Sequence, residues 1–315
     1  MIGTQNTSLM KIGTVRQVNK DTGPIFSIIM NCYNCEEFLQ EALDSVYAQD
    51  FNDFEIIFFD NASSDASVKI AQKYDCRLHY VRNPTLIPLG AARNLAISHA
   101  RGEYLAFLDC DDTWEPSKLR LQYQALKVGG NRRPYGFCYT DAMRMQTGGE
   151  DILAYSAERN MGQGEVMEEL MLDCFIAMSS CVIRREIVIE LGGFNERFNQ
   201  VEEWDLWLRV ARQYDLAFVP SCETRIRFHG KNTSQNYQAQ RLEIEQLLSC
   251  LSVGKKFENA CCYAQNWFKV RFAVIDVMHK LKGKEKKKIL SLFTLFYCLL
   301  KHPIISIRMV QDYLN

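Results

Sequence analysis

The run Tyr104-Leu-Ala-Phe-Leu108 is apolar at every position and then stops at Asp109-Cys-Asp111-Asp112. A strand apolar on both faces has no side to offer to water, so it belongs in a sheet covered by helices front and back. Phe26-Ser-Ile-Ile-Met30 and Phe54-Glu-Ile-Ile-Phe-Phe59 have the same character, and Leu78 to Val81 makes a shorter strand. Between these strands the spacing predicts helices. Phe38, Ala42, Leu43, Val46 and Tyr47 fall on one helical face, entered through an Asn34/Glu37 capping box. A second helix opens near Asp65 with Val68, Ala71 and Tyr74 inward, and a third runs from Gly90 through Ala100. Short apolar strands alternating with helices imply an α/β fold with a mainly parallel sheet and crossover helices.

Ligands of such sheets sit beyond the carboxyl ends of the strands. Three of those ends are polar: Asn31-Cys-Tyr33-Asn34, Asp60-Asn61 and Asp109-Cys-Asp111-Asp112. Carboxylates this close raise each other's cost of ionisation unless a cation sits among them. Oxygen donors suit a hard divalent ion, Mn²⁺ or Mg²⁺, which would in turn hold phosphates. The plain alternative is a solvated turn that caps the helix beginning near Pro116. Farther on, Trp204, Trp207, Leu208 and Ala211 mark the core face of a helix whose start is crowded by Glu202, Glu203 and Asp205. Those carboxylates suit the helix dipole, or one of them is a general base aimed at the site. Leu216–Val219 and Thr224–Phe228 read as two short strands, and His229 after the second is a hydrogen-bonded loop residue or a ligand. Met143 to Gly164 is polar and contains glycine, the pattern of a long surface loop or flap.

No P-loop, G-x-G-x-x-G or G-x-S-x-G follows any strand, which argues against NTPase, dinucleotide oxidoreductase and α/β-hydrolase chemistry. A net charge of -1 gives no sign of a nucleic-acid binder. Residues 1–24 read as a flexible polar lead-in with no apolar secretion signal. The twelve scattered cysteines then fit reduced thiols of a cytoplasmic protein. Cys32 and Cys35 form a C-x-x-C with no second pair at zinc spacing, and by itself that reads as coincidence. Residues 236–315 read as helical. Leu242, Leu247, Leu248 and Leu251 mark one helix, and Phe268, Val270, Phe272 and Val274 a second. Lysines from Lys282 to Lys288 then precede the apolar run Ile289–Leu300, shorter than the ~20 residues that span a bilayer. This end is either a packed helix with a solvated lysine face or an anchor at an anionic membrane surface.

Taken together, Ser27–Asn34, Glu55–Asp65, Gly90–Asn94, Gly102–Pro116, Arg184-Arg185, Gly192–Phe194, Glu202–Arg209 and Arg227–Ser234 resemble the inverting family 2 glycosyltransferases of the GT-A fold. The resemblance covers residues 25–235 and leaves 236–315 as a helical extension. It implies a donor that is a nucleotide-diphospho-sugar, UDP-sugars favoured, and an acceptor that is a glycan or lipid-linked hydroxyl, in surface polysaccharide or glycoconjugate synthesis. It implies Mn²⁺ or Mg²⁺ as cofactor, and a cytoplasmic protein peripheral at the inner face of the membrane. By position, Tyr33 and Asp60 would hold base and ribose, Asn31 and Arg93 would line the donor pocket, and Asp109 would face the ribose. Asp111 would ligate the metal, His229 would reach the metal or diphosphate, and Glu203 would be the base, with Glu202 and Asp205 as its rivals. Two positions depart from the family pattern: Asn61 follows Asp60, and Glu202-Glu203 stands where Glu-Asp is usual. A nucleotidyltransferase of the same fold would need a glycine-rich basic loop after the first strand, which Asn31–Cys35 lacks. A non-catalytic sugar-nucleotide-binding module would tolerate loss of the base.

Overall fold

The computed structural model describes residues 23–280 except 130–132, 147, 149, 158–160, 231–236 and 252–253. The lead-in before residue 23 and the Lys282–Leu300 segment lie outside the described residues. The first half alternates as the apolar runs require: β1 (Phe26–Cys32), α1 (Leu39–Tyr47), β2 (Phe54–Asn61), α2 (Ser67–Ala71), β3 (Leu78–Asn83), α3 (Leu89–Ser98) and β4 (Tyr104–Phe107). There follow β5 (Thr113–Trp114), α4 (Lys118–Val128), β6 (Tyr135–Gln146), β7 (Asp151–Ala154) and α5 (Met167–Leu172). The rest comprises β8 (Cys181–Arg184), α6 (Arg185–Glu190), α7 (Glu202–Ala211), β9 (Asp215–Phe228), α8 (Tyr237–Cys250) and α9 (Glu258–Lys280).

The strands form one sheet in the order β3-β2-β1-β4-β8-β6-β9-β5, with β7 paired to β6. The expected parallel pairing runs through β3-β2-β1-β4. The other half is mixed: β8 lies antiparallel to β4 and β6, whereas β9 runs parallel to β6. Side-chain alternation divides the core. Ile29, Ile57, Phe59, Leu105 and Phe107 face one layer, which α3, α5, α7, α8 and α9 cover. Phe26, Ile28, Met30, Ile56, Phe58 and Ala106 face the other, under α1 and α4. Each of the larger of these side chains, removed from water, stabilises the fold by about 1.5–3 kcal/mol. The strands approach closely at Gly102, where a Cβ would lie 2.4 Å from Ser27 N. Ser27 Oγ accepts the Gly102 amide at 2.8 Å, so only glycine fits there.

Three local expectations are corrected. Asn34 does not cap α1: it sits in the left-handed region at φ 54, and the helix begins only at Leu39, with no side-chain cap. Its side chain instead accepts the Ser64 amide at 2.9 Å, tying the β1 turn to the β2 turn. Met143–Gly164 is not one long loop, because Met143–Gln146 completes β6 and Asp151–Ala154 pairs back on it as β7. The two short strands around Pro220 are one strand, β9; register shifts at Thr140/Asp141 and Asp141/Ala142 absorb the proline.

Candidate active site

The β1 turn and the loop after β4 meet at the carboxyl edge of the parallel strands, around a cavity of about 410 Å³. Asn31, Tyr33, Arg93, Asp109, Asp111, Glu203 and His229 all line it, from five separate stretches of chain. Asn31 Nδ2 is buried there with no hydrogen-bond partner among the described residues, a donor directed at something the fold does not supply. Tyr33 stands 48% exposed at the mouth.

Asp60 is not brought to this cavity. It is fully buried, accepting from Tyr80 Oη at 2.7 Å, Arg82 Nη1 at 2.9 Å and Ser63 N at 2.7 Å. Neighbouring Asn61 is spent in the same way, donating to Ile87 O at 2.8 Å and accepting Ile87 N at 3.1 Å. The third polar strand end therefore shapes loops, and two ends rather than three form the rim.

Each carboxylate of the loop after β4 has its own donors. Asp112 is buried, taking Ser179 Oγ at 2.6 Å and Arg227 N at 3.0 Å. Burial, followed by the charges of Asp111 and Asp109, drives it well above the usual carboxylate range. It is a fastener between loop and β9. Asp109 meets Arg93 Nη2 at 3.4 Å and keeps 43% of its side chain exposed to the cavity. Enclosure raises it against the pull of Arg93, and Asp111 adds to the rise. Asp111 Oδ2 and His229 Nε2 lie 2.9 Å apart, with the imidazole stacked on Phe38 at 5.3 Å between centroids. An imidazole nitrogen beside a carboxylate, with a second crowded carboxylate two residues away, is a donor set that Mn²⁺ or Mg²⁺ fits. A cation there would also relieve the mutual repulsion that adds to the effect of burial at Asp109 and Asp112.

The acidic start of α7 is divided in three. Glu202 is buried against Arg93, Oε1 to Nη1 at 2.8 Å. Burial alone would weaken the Arg93 charge, yet Asp109, Glu202 and Glu203 more than offset it and raise its pKa. Asp205 turns away and binds Arg209 at 2.7 Å, outside the cavity wall. Glu203 is half-buried and lines both this cavity and a second one of about 420 Å³. The second cavity is walled by Trp204, Ile244, Phe268, Phe272 and Ile275, with Arg144 and Arg271.

Sequence reasoning missed several positions that shape or line the cavities. Ser179 reads as part of a strand, yet it lies in a short 3-10 turn and fixes both Asp112 and the Asp109 amide, at 3.0 Å. Asn94 clamps the turn before α7, accepting Phe194 N at 2.8 Å and donating to Phe194 O at 2.9 Å. A Cβ on Gly193, at φ +75, would lie 2.4 Å from Asn94 Oδ1. The Gly90–Asn94 and Gly192–Phe194 segments were the two visible signals for that clamp. Tyr155, Gln200 and Gln240 line both cavities and had none.

Residues 27–192 match the family model for Glycosyl transferase family 2. The amylovoran biosynthesis glycosyltransferase AmsB of Erwinia amylovora is 29% identical over 214 residues, 65% of this chain and 69% of that protein. The Escherichia coli UDP-Glc:alpha-D-GlcNAc-diphosphoundecaprenol beta-1,3-glucosyltransferase WfaP is 25% identical over 248 residues, 76% of this chain and 91% of that one. Among solved structures, S. aureus TarS 1-349 in complex with UDP-GlcNAc superposes with a TM-score of 0.63 at 17% identity, covering 91% and 90% of the two chains. The mannosyltransferase PcManGT from Pyrobaculum calidifontis, in complex with GDP-Man and Mn²⁺, gives 0.61 at 16% identity over 93% and 86%. These two likenesses establish a shared GT-A fold.

Proposed function

The chain belongs to glycosyl transferase family 2, and from that premise we propose an inverting, metal-dependent transfer of a sugar from a nucleotide-diphospho-sugar to an acceptor hydroxyl. The observation that carries this reading is Glu203, a carboxylate in the wall between the acidic cavity and the one walled by Trp204, Phe268 and Phe272. A base in that position reaches a hydroxyl presented from one side to a sugar held on the other.

On the donor side, the unpartnered Asn31 amide and the exposed Tyr33 ring suit a nucleoside, one by hydrogen bond and one by stacking. UDP-sugars are the favoured donors, in keeping with the UDP-GlcNAc bound by TarS and the UDP-Glc in the name of WfaP. Asp111 and His229, with Asp109 beside them, would hold Mn²⁺ or Mg²⁺. A bound divalent cation acts as a Lewis acid toward the charge that builds on the departing diphosphate. Arg93 holds Asp109 and Glu202 in place, and Glu203 takes the proton of the acceptor as its oxygen attacks the anomeric carbon opposite the leaving group.

On the acceptor side, aromatic and aliphatic walls beside Arg144 and Arg271 suit a glycan carried on a lipid diphosphate. That agrees with the amylovoran biosynthesis named for AmsB and with the diphosphoundecaprenol-linked acceptor in the name of WfaP. The lysine-rich and apolar stretches at 282–300 would hold the enzyme at the membrane surface where such acceptors lie. The test is incubation with a panel of nucleotide sugars and Mn²⁺, with and without lipid-diphosphate acceptor mimics. Release of nucleoside diphosphate with an inverted product supports the reading. Release of pyrophosphate instead indicates a nucleotidyltransferase, and binding without turnover indicates a non-catalytic module.

A further inference from the structure

We propose that Cys32, Cys35 and Cys110 form a binding site for one thiophilic divalent cation of the zinc class, distinct from the hard-cation site at Asp111 and His229. The three sulfurs lie within 4.8 Å of one another, although Cys110 is far along the chain from the C-x-x-C. That convergence is the third ligand that the C-x-x-C spacing by itself lacks. Zn–S bonds of about 2.3 Å in a tetrahedron set sulfurs about 3.8 Å apart, so closing round an ion needs shifts on the order of 1 Å.

The backbone that carries the thiols is already braced. Ser67 Oγ accepts the Cys35 amide at 3.0 Å, and Ser63 Oγ accepts the Asn34 amide at 3.1 Å. All three cysteines are free thiols, and their other contacts are weak. Cys110 Sγ donates to Asn31 O at 3.3 Å and Cys35 Sγ to Tyr33 O at 3.5 Å, while Cys32 Sγ lies 3.7 Å from Ser63 Oγ. Cys32 and Cys110 are buried, but Cys35 is half-buried, and both Cys35 and Cys110 line the cavity. A water from the cavity can therefore fill the fourth position, as at open zinc sites.

Ligand softness separates the two sites. Thiolates select zinc-class ions, whereas carboxylate oxygens suit Mg²⁺ and Mn²⁺. The location gives the ion a consequence: Cys110 stands between Asp109 and Asp111, so an ion on the three sulfurs ties the acidic loop to the β1 turn. A disulfide among the thiols would need an oxidant the protein does not hold.

The test uses the full chain, purified reduced and metal-free, and titrated with Co²⁺ as a spectroscopic stand-in for zinc. We expect one equivalent bound with intense thiolate-to-cobalt charge-transfer bands, displaced by Zn²⁺ and not by Mg²⁺. Cys32→Ser, Cys35→Ser and Cys110→Ser should each weaken binding at least about tenfold, the scale at which even outer-shell changes weaken metal sites. The triple variant should lose the bands. Cys261→Ser with Cys262→Ser should keep them, and so should Asp111→Asn. Melting curves of the metal-free variants check that the fold survives, with half-buried Cys35→Ser as the mildest change. Absence of thiolate bands in the wild type, or bands that persist in the triple variant, would overturn the proposal. The readout needs no turnover, so it stands or falls apart from the glycosyltransfer mechanism.

Discussion

Replacing Glu202 and Glu203 in turn by glutamine separates a structural carboxylate from a chemical one. Glu202 and Arg93 are 6% and 4% exposed in their side chains and 2.8 Å apart. Removing one partner of such a pair costs about 3–5 kcal/mol, because the other charge stays buried. Here the lower end applies, about 3 kcal/mol, since a glutamine oxygen still accepts from Arg93 and Asp109 stays within 3.4 Å. At roughly 2–4 °C per kcal/mol for chains of 150–250 residues, Glu202→Gln should melt about 6–12 °C below the wild type. Glu203→Gln should melt with the wild type and bind donor normally, yet lose at least about 100-fold in kcat, the usual scale of general-base catalysis. Asp205→Asn, which loosens only the Arg209 contact away from the cavity, should keep turnover. Scanning fluorimetry beside initial rates of nucleoside diphosphate release reads both effects. A Glu202→Gln protein that melts normally but is dead, beside an active Glu203→Gln, would refute the assignment and move the base to Glu202.

Asp111→Asn should abolish turnover and weaken donor binding, with EDTA reproducing both in the wild type; full activity in EDTA would rule out the metal reading. Lys118 is buried against the Trp114 ring, bonded to Gln122, and burial pulls its pKa down to about 7. Above pH 7 the unfolded chain keeps a proton that the folded one has shed, so stability should rise by about 2 kcal/mol from pH 7 to 9 on this account. Lys118→Met should flatten that rise in urea melts, and an unchanged slope would refute the shift. Deleting residues 283–315 should release the protein from anionic vesicles in flotation while sparing turnover of a soluble acceptor analogue; an intact chain that never floats would sink the anchor.

The parallel half of the fold was legible because its strands are covered on both faces, so burial writes an unbroken apolar run into each. The mixed half was not. Asp151–Ala154 is exposed over most of its length and pairs only with β6, so it carries no apolar signature and reads as loop. Pro220 marks a break in the sequence, but a register shift lets β9 pass through it. Within the site, residue type revealed the acidic and basic members and misled at Asp60. A carboxylate at a strand end looks the same in sequence whether its oxygens face a ligand or, as here, a tyrosine, an arginine and a backbone amide. The thiol cluster was illegible for a different reason: its third member is supplied by the adjacency of β1 and β4, and no local spacing encodes that pairing.

The loop after β4 shows why the site needs both halves of the sheet. Cys110, Asp111 and Asp112 are consecutive, yet the structure sends them three ways: one to the thiols of the β1 turn, one to His229, one to Ser179 and the Arg227 amide. Like charges at that density are tolerated only when each finds a separate donor. The parallel strands provide Arg93 for Asp109 and the β1 turn for Cys110. They offer nothing to Asp111 or Asp112, whose partners come from the turn before β8 and from the end of β9. Because β9 runs parallel to β6, its carboxyl end arrives on the same rim as those of β1 and β4. Had it run the other way, His229 and Arg227 would lie at the opposite edge of the sheet, leaving Asp111 without its imidazole and Asp112 with Ser179 alone. The strand direction the sequence left unread is therefore what makes the acidic motif it displayed most openly sustainable.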